Sequence, residues 1–159
     1  TQVREAVERG GDPRVKLEVR ESTLPGAGRG LFAAEHIPAG AEVADYVGTV
    51  YAEKEGMAMP PKSRSYFMRL GTKPAVFVDA GPHPTVVARF INDARDPARQ
   101  NLTWKKLPKQ GKAVVTAKRD IAAGEELFAP YGLWYWVNFD PALRARVKGA
   151  ITSAARKES

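Results

Sequence analysis

With 159 residues, 43% of them hydrophobic and 27% charged, the chain has the length and composition of one ordinary globular domain. No apolar run approaches a membrane span, and the absence of cysteine excludes disulfides, iron–sulfur clusters, thiolate zinc sites and a cysteine nucleophile. Twenty-five Lys and Arg against 18 Asp and Glu leave a net charge of +7, which points to an anionic partner such as nucleic acid or to a solvated basic surface.

The opening Thr-Gln-Val-Arg-Glu does not read as a leader, and residues 1–14 read as a frayed or weakly helical lead-in that stops at Gly10-Gly11-Asp12-Pro13. Val15, Leu17 and Val19 alternate with charged residues, the period of a half-buried strand. In the loop Thr23–Gly30, Gly28 and Gly30 have no side chain, so backbone there can lie against something bulky or simply turn. Leu31-Phe32-Ala33-Ala34 resumes as strand. After the turn at Ile37–Gly40, Glu42–Tyr51 is a long β-leaning segment interrupted at Gly48. Residues 52–65, with Pro60-Pro61, read as an inserted loop or short helix, and Tyr66–Leu70 and Ala75–Asp79 as a hairpin.

Val86–Pro97 runs from apolar residues into an Asn-Asp turn signal. Asn92 there can offer donor and acceptor to a ligand, or close its own turn. Asn101–Trp104 and Ala113–Ala117 read as strands, and Arg119–Phe128 echoes the turn-plus-strand format of His36–Val43. His36 and His83 lack the spaced partners of a metal site or a serine triad, so no metal is expected. From Tyr131 the chain is aromatic, and after Pro141 it becomes a basic helix or tail, residues 137–159, in which Arg144, Arg146, Lys148, Arg156 and Lys157 concentrate charge.

Taken together and in this order, several segments resemble the SET-domain protein lysine methyltransferases over residues 15–136. Ala27-Gly28-Arg29-Gly30-Leu31-Phe32 is similar to the family's first glycine motif, and Tyr46-Val47-Gly48 to its Tyr-x-Gly strand. Ser65-Tyr66-Phe67 is similar to a cofactor-contacting segment. Ala88-Arg89-Phe90-Ile91-Asn92 resembles the Arg-Phe-Ile-Asn-His-Ser pattern, and Gly124–Gly132 the terminal motif ending in a catalytic Tyr. The resemblance implies a mainly β fold with short helices, built of small curled sheets, whose C-terminal motif threads a pseudoknot beside the Asn strand. It implies S-adenosyl-L-methionine as cofactor and in-line methyl transfer to a deprotonated lysine, a reaction that needs alignment and charge stabilisation rather than a metal or a covalent intermediate. By the same resemblance, Tyr131 and Tyr46 are the catalytic residues, with Tyr46 lining the lysine channel. Ala27, Gly28, Arg29, Gly30, Tyr66, Arg89, Asn92, Asp93 and Trp134 are the cofactor contacts, although Tyr66 and Trp134 could equally pack the core.

The chain departs from the pattern at Asp93, where the family usually has His, at Ala94 and Arg95, and at Ala98, which replaces the Asn after Pro97. Small Ala129 stands where many members place a ring that limits the number of methyls, a lean towards more than one. Without flanking zinc clusters, Leu133, Trp134, Tyr135 and Trp136 are the residues left to cover the cofactor. The implied substrate is a histone tail or other lysine-bearing protein, which implies a nuclear location. A basic tail needs an acidic groove, with Asp45, Glu53, Glu55, Asp79 and Asp96 as its sources, or a basic C-terminal end that grips nucleosomal DNA. Ala154–Ser159 is similar to an Ala-Arg-Lys-Ser histone-tail sequence interrupted by Glu158, which makes Lys157 a site for automethylation. The rival reading is a SET-like module without turnover that holds chromatin or nucleic acid through its basic surface.

Overall fold

A computed structural model describes the backbone of residues 2–158, with side chains described for 4–132 and 134–149. Of the two forms open to the lead-in, the helical one is taken, as α1 (Gln2–Glu8). Its Ala6 is buried, and the Gly10-Gly11 turn that follows accepts hydrogen bonds from Val87 N (3.2 Å) and Asp45 N (2.7 Å). Only glycine fits at residue 11, because φ is +81° and a Cβ would lie 2.5 Å from the Asp45 carbonyl oxygen.

The alternating residues form β1 (Leu17–Glu21), which pairs antiparallel with β2 (Arg29–Ala33). The segment expected as one long strand is two, β3 (Glu42–Tyr46) and β4 (Thr49–Ala52), in different sheets. The chain changes sheet at Gly48, where a Cβ would stand 2.1 Å from the Asp79 carbonyl oxygen. Residues 53–64 supply α2 (Glu53–Ala58) and a 3-10 turn, Pro61–Arg64. The expected hairpin forms from β5 (Phe67–Leu70) and β6 (Val76–Asp79), giving an antiparallel sheet of order β4-β6-β5. Strands β7 (Leu102–Leu107) and β8 (Lys112–Ala117) complete a second sheet, β3-β8-β7. The chain ends in α3 (Leu133–Phe139), which runs across the expected boundary at 136/137, and α4 (Pro141–Glu158). Small antiparallel sheets with few helices are the architecture expected from the sequence. The core between them is aliphatic, with Leu31, Ile37, Val43, Val78, Val86, Leu102, Ile121 and Leu127 fully buried.

Two segments differ from their expected form. The Asn92 segment enters as a 3-10 turn, Val87–Phe90, whose bonds run from Arg89 N to Val86 O and from Ile91 N to Ala88 O. Residues 119–128 make no strand: they form only isolated bridges, first along residues 37 to 31 and then at Asn92. Ile121 pairs with Ile37, Glu126 with Phe32, and Phe128 in parallel with Asn92. The two similar turns thus face each other through reciprocal bonds, Ile37 N to Ile121 O (2.9 Å) and Ile121 N to Ile37 O (2.8 Å).

This threading makes the knot. Phe128 O accepts from Asn101 N and Leu102 N, while Ala129 N donates to Asn92 O. Asn101, 2% exposed, clamps the same stretch with its side chain, donating to Glu126 O (2.9 Å) and accepting from Phe128 N (2.8 Å). A buried carboxamide thus sits at Asn101 rather than at Ala98.

Candidate active site

Beside the knot lies a cavity of about 480 Å³, walled by the Ala27–Arg29 loop, the Arg89–Asn92 turn, β5 and β7. The threading that brings residue 128 against residue 92 also delivers Tyr131 to this wall. Tyr131 O–H donates to Ile91 O (2.6 Å), and Tyr46 O–H donates to Tyr66 O (2.5 Å). Burial, and then neighbouring groups, push both phenols well above their ordinary value of 10.0, so both are neutral. With each proton committed to a backbone carbonyl, both oxygens are left as acceptors.

Of the site residues expected from sequence, Ala27, Gly28, Arg29, Tyr46, Tyr66, Arg89, Asn92 and Tyr131 meet at this cavity. Asn92 does not close its own turn: its Nδ2 donates to Arg29 O (2.9 Å), joining the glycine loop to the knot. The Arg89 guanidinium lies over the Tyr66 ring at 4.3 Å and donates through Nη1 to Gly81 O (3.2 Å). Its Nε is buried without a partner.

Gly30, Asp93 and Trp134 stand elsewhere. Gly30 turns towards Glu126, whose Oε2 would lie 2.3 Å from an added Cβ. Glu126, 6% exposed, accepts from Ser22 Oγ (2.7 Å), Thr23 N (2.8 Å) and Thr23 Oγ1 (2.7 Å), and so holds the root of the glycine loop. Trp134 packs on Phe77, ring centroids 5.1 Å apart, and Asn138 one helical turn later accepts from Arg64 Nη1 (3.0 Å). Their shared face is therefore turned to the 53–77 region, and the helical offset of one residue gives the cavity to Tyr135. Tyr135 meets the Tyr131 ring edge-on at 4.6 Å.

Asp93 works behind the cavity. Its Oδ2 accepts from Tyr131 N (3.0 Å) and Trp136 Nε1 (2.8 Å), and its Oδ1 accepts from Arg95 N (2.7 Å) and from Gln100 Nε2. The residue that breaks the sequence pattern thus fixes the backbone at Tyr131. Arg95, at φ +54°, completes the cluster, stacked over Trp136 at 3.9 Å and paired with Asp140.

Other expectations require correction. Ala129 is fully buried in the knot and does not line the cavity; Trp104 does, set edge-on to Tyr46 at 5.7 Å, with Nε1 donating to Pro130 O (3.0 Å). Sequence alternation held the signal for it, since Leu102, Trp104 and Lys106 share one face of β7. Asp45 offers no acidic groove: it is 1% exposed and paired with Arg14 Nη1 (3.0 Å) and Lys112 Nζ (3.2 Å). Asp79 is also buried, and desolvation raises its carboxyl above the ordinary value. At the basic end, Arg144 donates to Val137 O (2.8 Å) and Asn138 O (2.5 Å), carbonyls at the end of α3. The side chains of Arg156 and Lys157 lie outside the described residues.

The SET-domain family model matches residues 28–132. Histone-lysine N-methyltransferase EZH2 of Chaetomium thermophilum is 33% identical, over 80% of this chain and 9% of its own length. This chain therefore spans less than a tenth of that relative. The crystal structure of the Chaetomium thermophilum polycomb repressive complex 2 aligns with TM-score 0.60 and 32% identity, over 75% of this chain and 15% of that one. A structure of ctPRC2 in an autoinhibited conformation bound to S-adenosylmethionine aligns with TM-score 0.61 and 31% identity, over 86% and 17%.

Proposed function

The chain belongs to the SET-domain family, and from that premise we propose that it is an S-adenosylmethionine-dependent protein lysine N-methyltransferase acting on a histone tail or similar chromatin substrate in the nucleus. The observation that carries this reading is the pair of neutral phenols, Tyr131 and Tyr46, each donating to a backbone carbonyl inside one cavity.

The cavity fits the cofactor on its own terms. Its volume of about 480 Å³ suits a nucleoside-sized ligand, Gly28 and Asn92 present polar backbone and amide groups, and Tyr66 and Tyr135 present rings. The unpartnered Arg89 Nε supplies a donor for a carboxylate. Ala27–Arg29, Tyr66, Arg89, Asn92 and Tyr135 would hold the group, which when bound supplies an electrophilic methyl on a sulfonium sulfur.

The chain's own groups prepare the amine. A lysine entering between Tyr46, Trp104 and Tyr131 exchanges water for ring surface, which disfavours its ammonium form. Arg29, Arg89 and Lys106 on the same wall add like charge and favour proton loss to solvent. The oxygens of Tyr131 and Tyr46 then accept the amine N–H groups, which aims the nitrogen lone pair along one direction. Neither phenol removes a proton, because both stay neutral. Trp104 narrows the channel where Ala129 does not reach, so this indole, and not residue 129, sets the space for added methyls.

The test is transfer of a radiolabelled methyl to core histones and tail peptides. Wild type labels lysine, whereas Tyr131→Phe retains cofactor affinity by calorimetry and loses most turnover, about a hundredfold if one oriented acceptor is removed. Unchanged turnover in that variant, or no label transferred by wild type, would overturn the reading; the second result would leave a binding module.

A further inference from the structure

Charge is spread unevenly along this chain. Residues 56–78 and 97–119 contain 11 of its 25 Lys and Arg and none of its 18 Asp and Glu, which leaves 14 cations against 18 acids elsewhere. The positive balance therefore belongs to these two stretches, and the fold brings them together. One holds β5 and the turn at residues 71–75; the other holds β7 and the 3-10 turn Pro108–Gln110. A Cβ on Gly71 would lie 3.4 Å from the Pro108 side chain, so the two turns touch.

Several of these cations are already engaged. Arg64 is buried and bonded to Asn138, Lys112 pairs with Asp45, and Arg119 pairs with Glu125. Lys73, Lys105 and Lys109 differ: all three are exposed, and none forms an ion pair among the described residues. Lys109 adjoins the contact between the turns, Lys73 stands two residues from it, and Lys105 follows Trp104, which lines the cavity. Exposed ammonium groups are hydrated and stable without partners. What singles these out is their common field: long-stemmed like charges on touching turns, with no acid in either stretch to offset them, attract an extended polyanion.

From this acid-free pair of turns beside the cavity, we propose a docking surface for the phosphate backbone of duplex DNA, on which nucleosomal DNA rests while a histone tail enters the cavity. It builds on the methyltransferase reading and supplies the grip by which a chain of charge +7 engages chromatin whose tails are also basic. Lysine is a compact point charge that holds phosphate without reading sequence, which suits a duplex backbone. Single strands are held by rings that stack on their bases, and residues 71–75 and 107–111 contain no aromatic side chain. In α4, the other basic element, Arg144 is spent on carbonyls of α3.

The experiment uses the full chain and a fluorescein-labelled duplex of about 30 base pairs, with anisotropy read over a range of salt and without cofactor. Log affinity falls linearly with log salt. In K73Q/K105Q/K109Q the slope is shallower by about 3, one for each lost phosphate contact, and binding at low salt is at least about tenfold weaker. K73R/K105R/K109R keeps the slope. In methyl-transfer assays the Gln variant raises KM for nucleosomes about tenfold and leaves KM for a free tail peptide, and kcat, unchanged. Should the triple variant fail to fold, judged by its melting transition, K109Q alone still lowers the slope by about 1.

A slope unchanged by the Gln substitutions overturns the proposal, whether DNA then binds through α4 or not at all. Binding of poly-glutamate as tight as that of DNA at equal charge also overturns it, since the surface would then serve an acidic protein. So does tighter binding to single strands than to duplex. Duplex binding that is lost in the variant, with no histone methylated by wild type, keeps the docking surface and refutes the methyltransferase reading. Tail methylation without duplex binding does the reverse.

Discussion

Replacing Asp93 by Asn tests the idea that the residue departing from the family pattern holds Tyr131 in place. The carboxylate receives four donors: Tyr131 N, Trp136 Nε1, Arg95 N and Gln100 Nε2. An amide offers one oxygen and turns its NH₂ towards two of those donors, so whichever way it flips, two bonds become donor–donor contacts. Each lost bond to a charged acceptor is worth about 1.5–3 kcal/mol before relaxation. Asp93 is only partly buried, so water recovers some of this and the net cost is about 3 kcal/mol. For a domain of this size that corresponds to a fall of roughly 6–12 °C in melting temperature. Urea unfolding with linear extrapolation measures it directly. The tyrosine backbone loses its tie, so turnover also falls although Asp93 does not line the cavity. Stability within about 0.5 kcal/mol of wild type, the range of an ordinary surface change, would refute the argument.

Asn101→Ala removes the clamp on the threaded segment and leaves Phe128 N–H and Glu126 O without their buried partner. The expected loss is about 3 kcal/mol, with faster hydrogen exchange at residues 126–129; unchanged exchange there would show the knot closes without it. Alkaline titration probes the buried phenols. Their folded pKa values lie above the unfolded value of 10.0, so the stability they contribute is fully present below pH 10 and is lost as pH rises beyond it, where the unfolded chain ionises first. Phenolate absorbance of Tyr46 and Tyr131 should therefore appear only together with unfolding, and titration of every tyrosine near the ordinary value in the folded state would contradict the burial.

Much of this was legible in the chain because it is local. Alternation at Leu17–Glu21 marks a half-buried strand, the short apolar run at Ala113–Ala117 a buried one, and glycine at positions 28 and 48 marks turns and close approach. Motif order was enough to nominate Gly28, Asn92 and Tyr131. Other features depend on who sits across the fold. Nothing near Asp45 in sequence reveals that Arg14 and Lys112 will enclose it, and nothing near Gly30 reveals Glu126. Along α3 the neighbours Trp134, Tyr135 and Trp136 look alike as letters, but a rotation of about 100° per residue sends them to three different environments.

By itself, then, the sequence determined the small antiparallel sheets, the family and eight of the residues that meet at the cavity, since each is written in periodicity or in a contiguous motif. Only the tertiary structure decided that Asp93 braces Tyr131 from behind and that Trp104 lines the cavity edge-on to Tyr46. Those facts arise where a sheet edge and a threaded segment converge, and hydrogen bonding and packing depend on distance in space, which residue numbers do not carry.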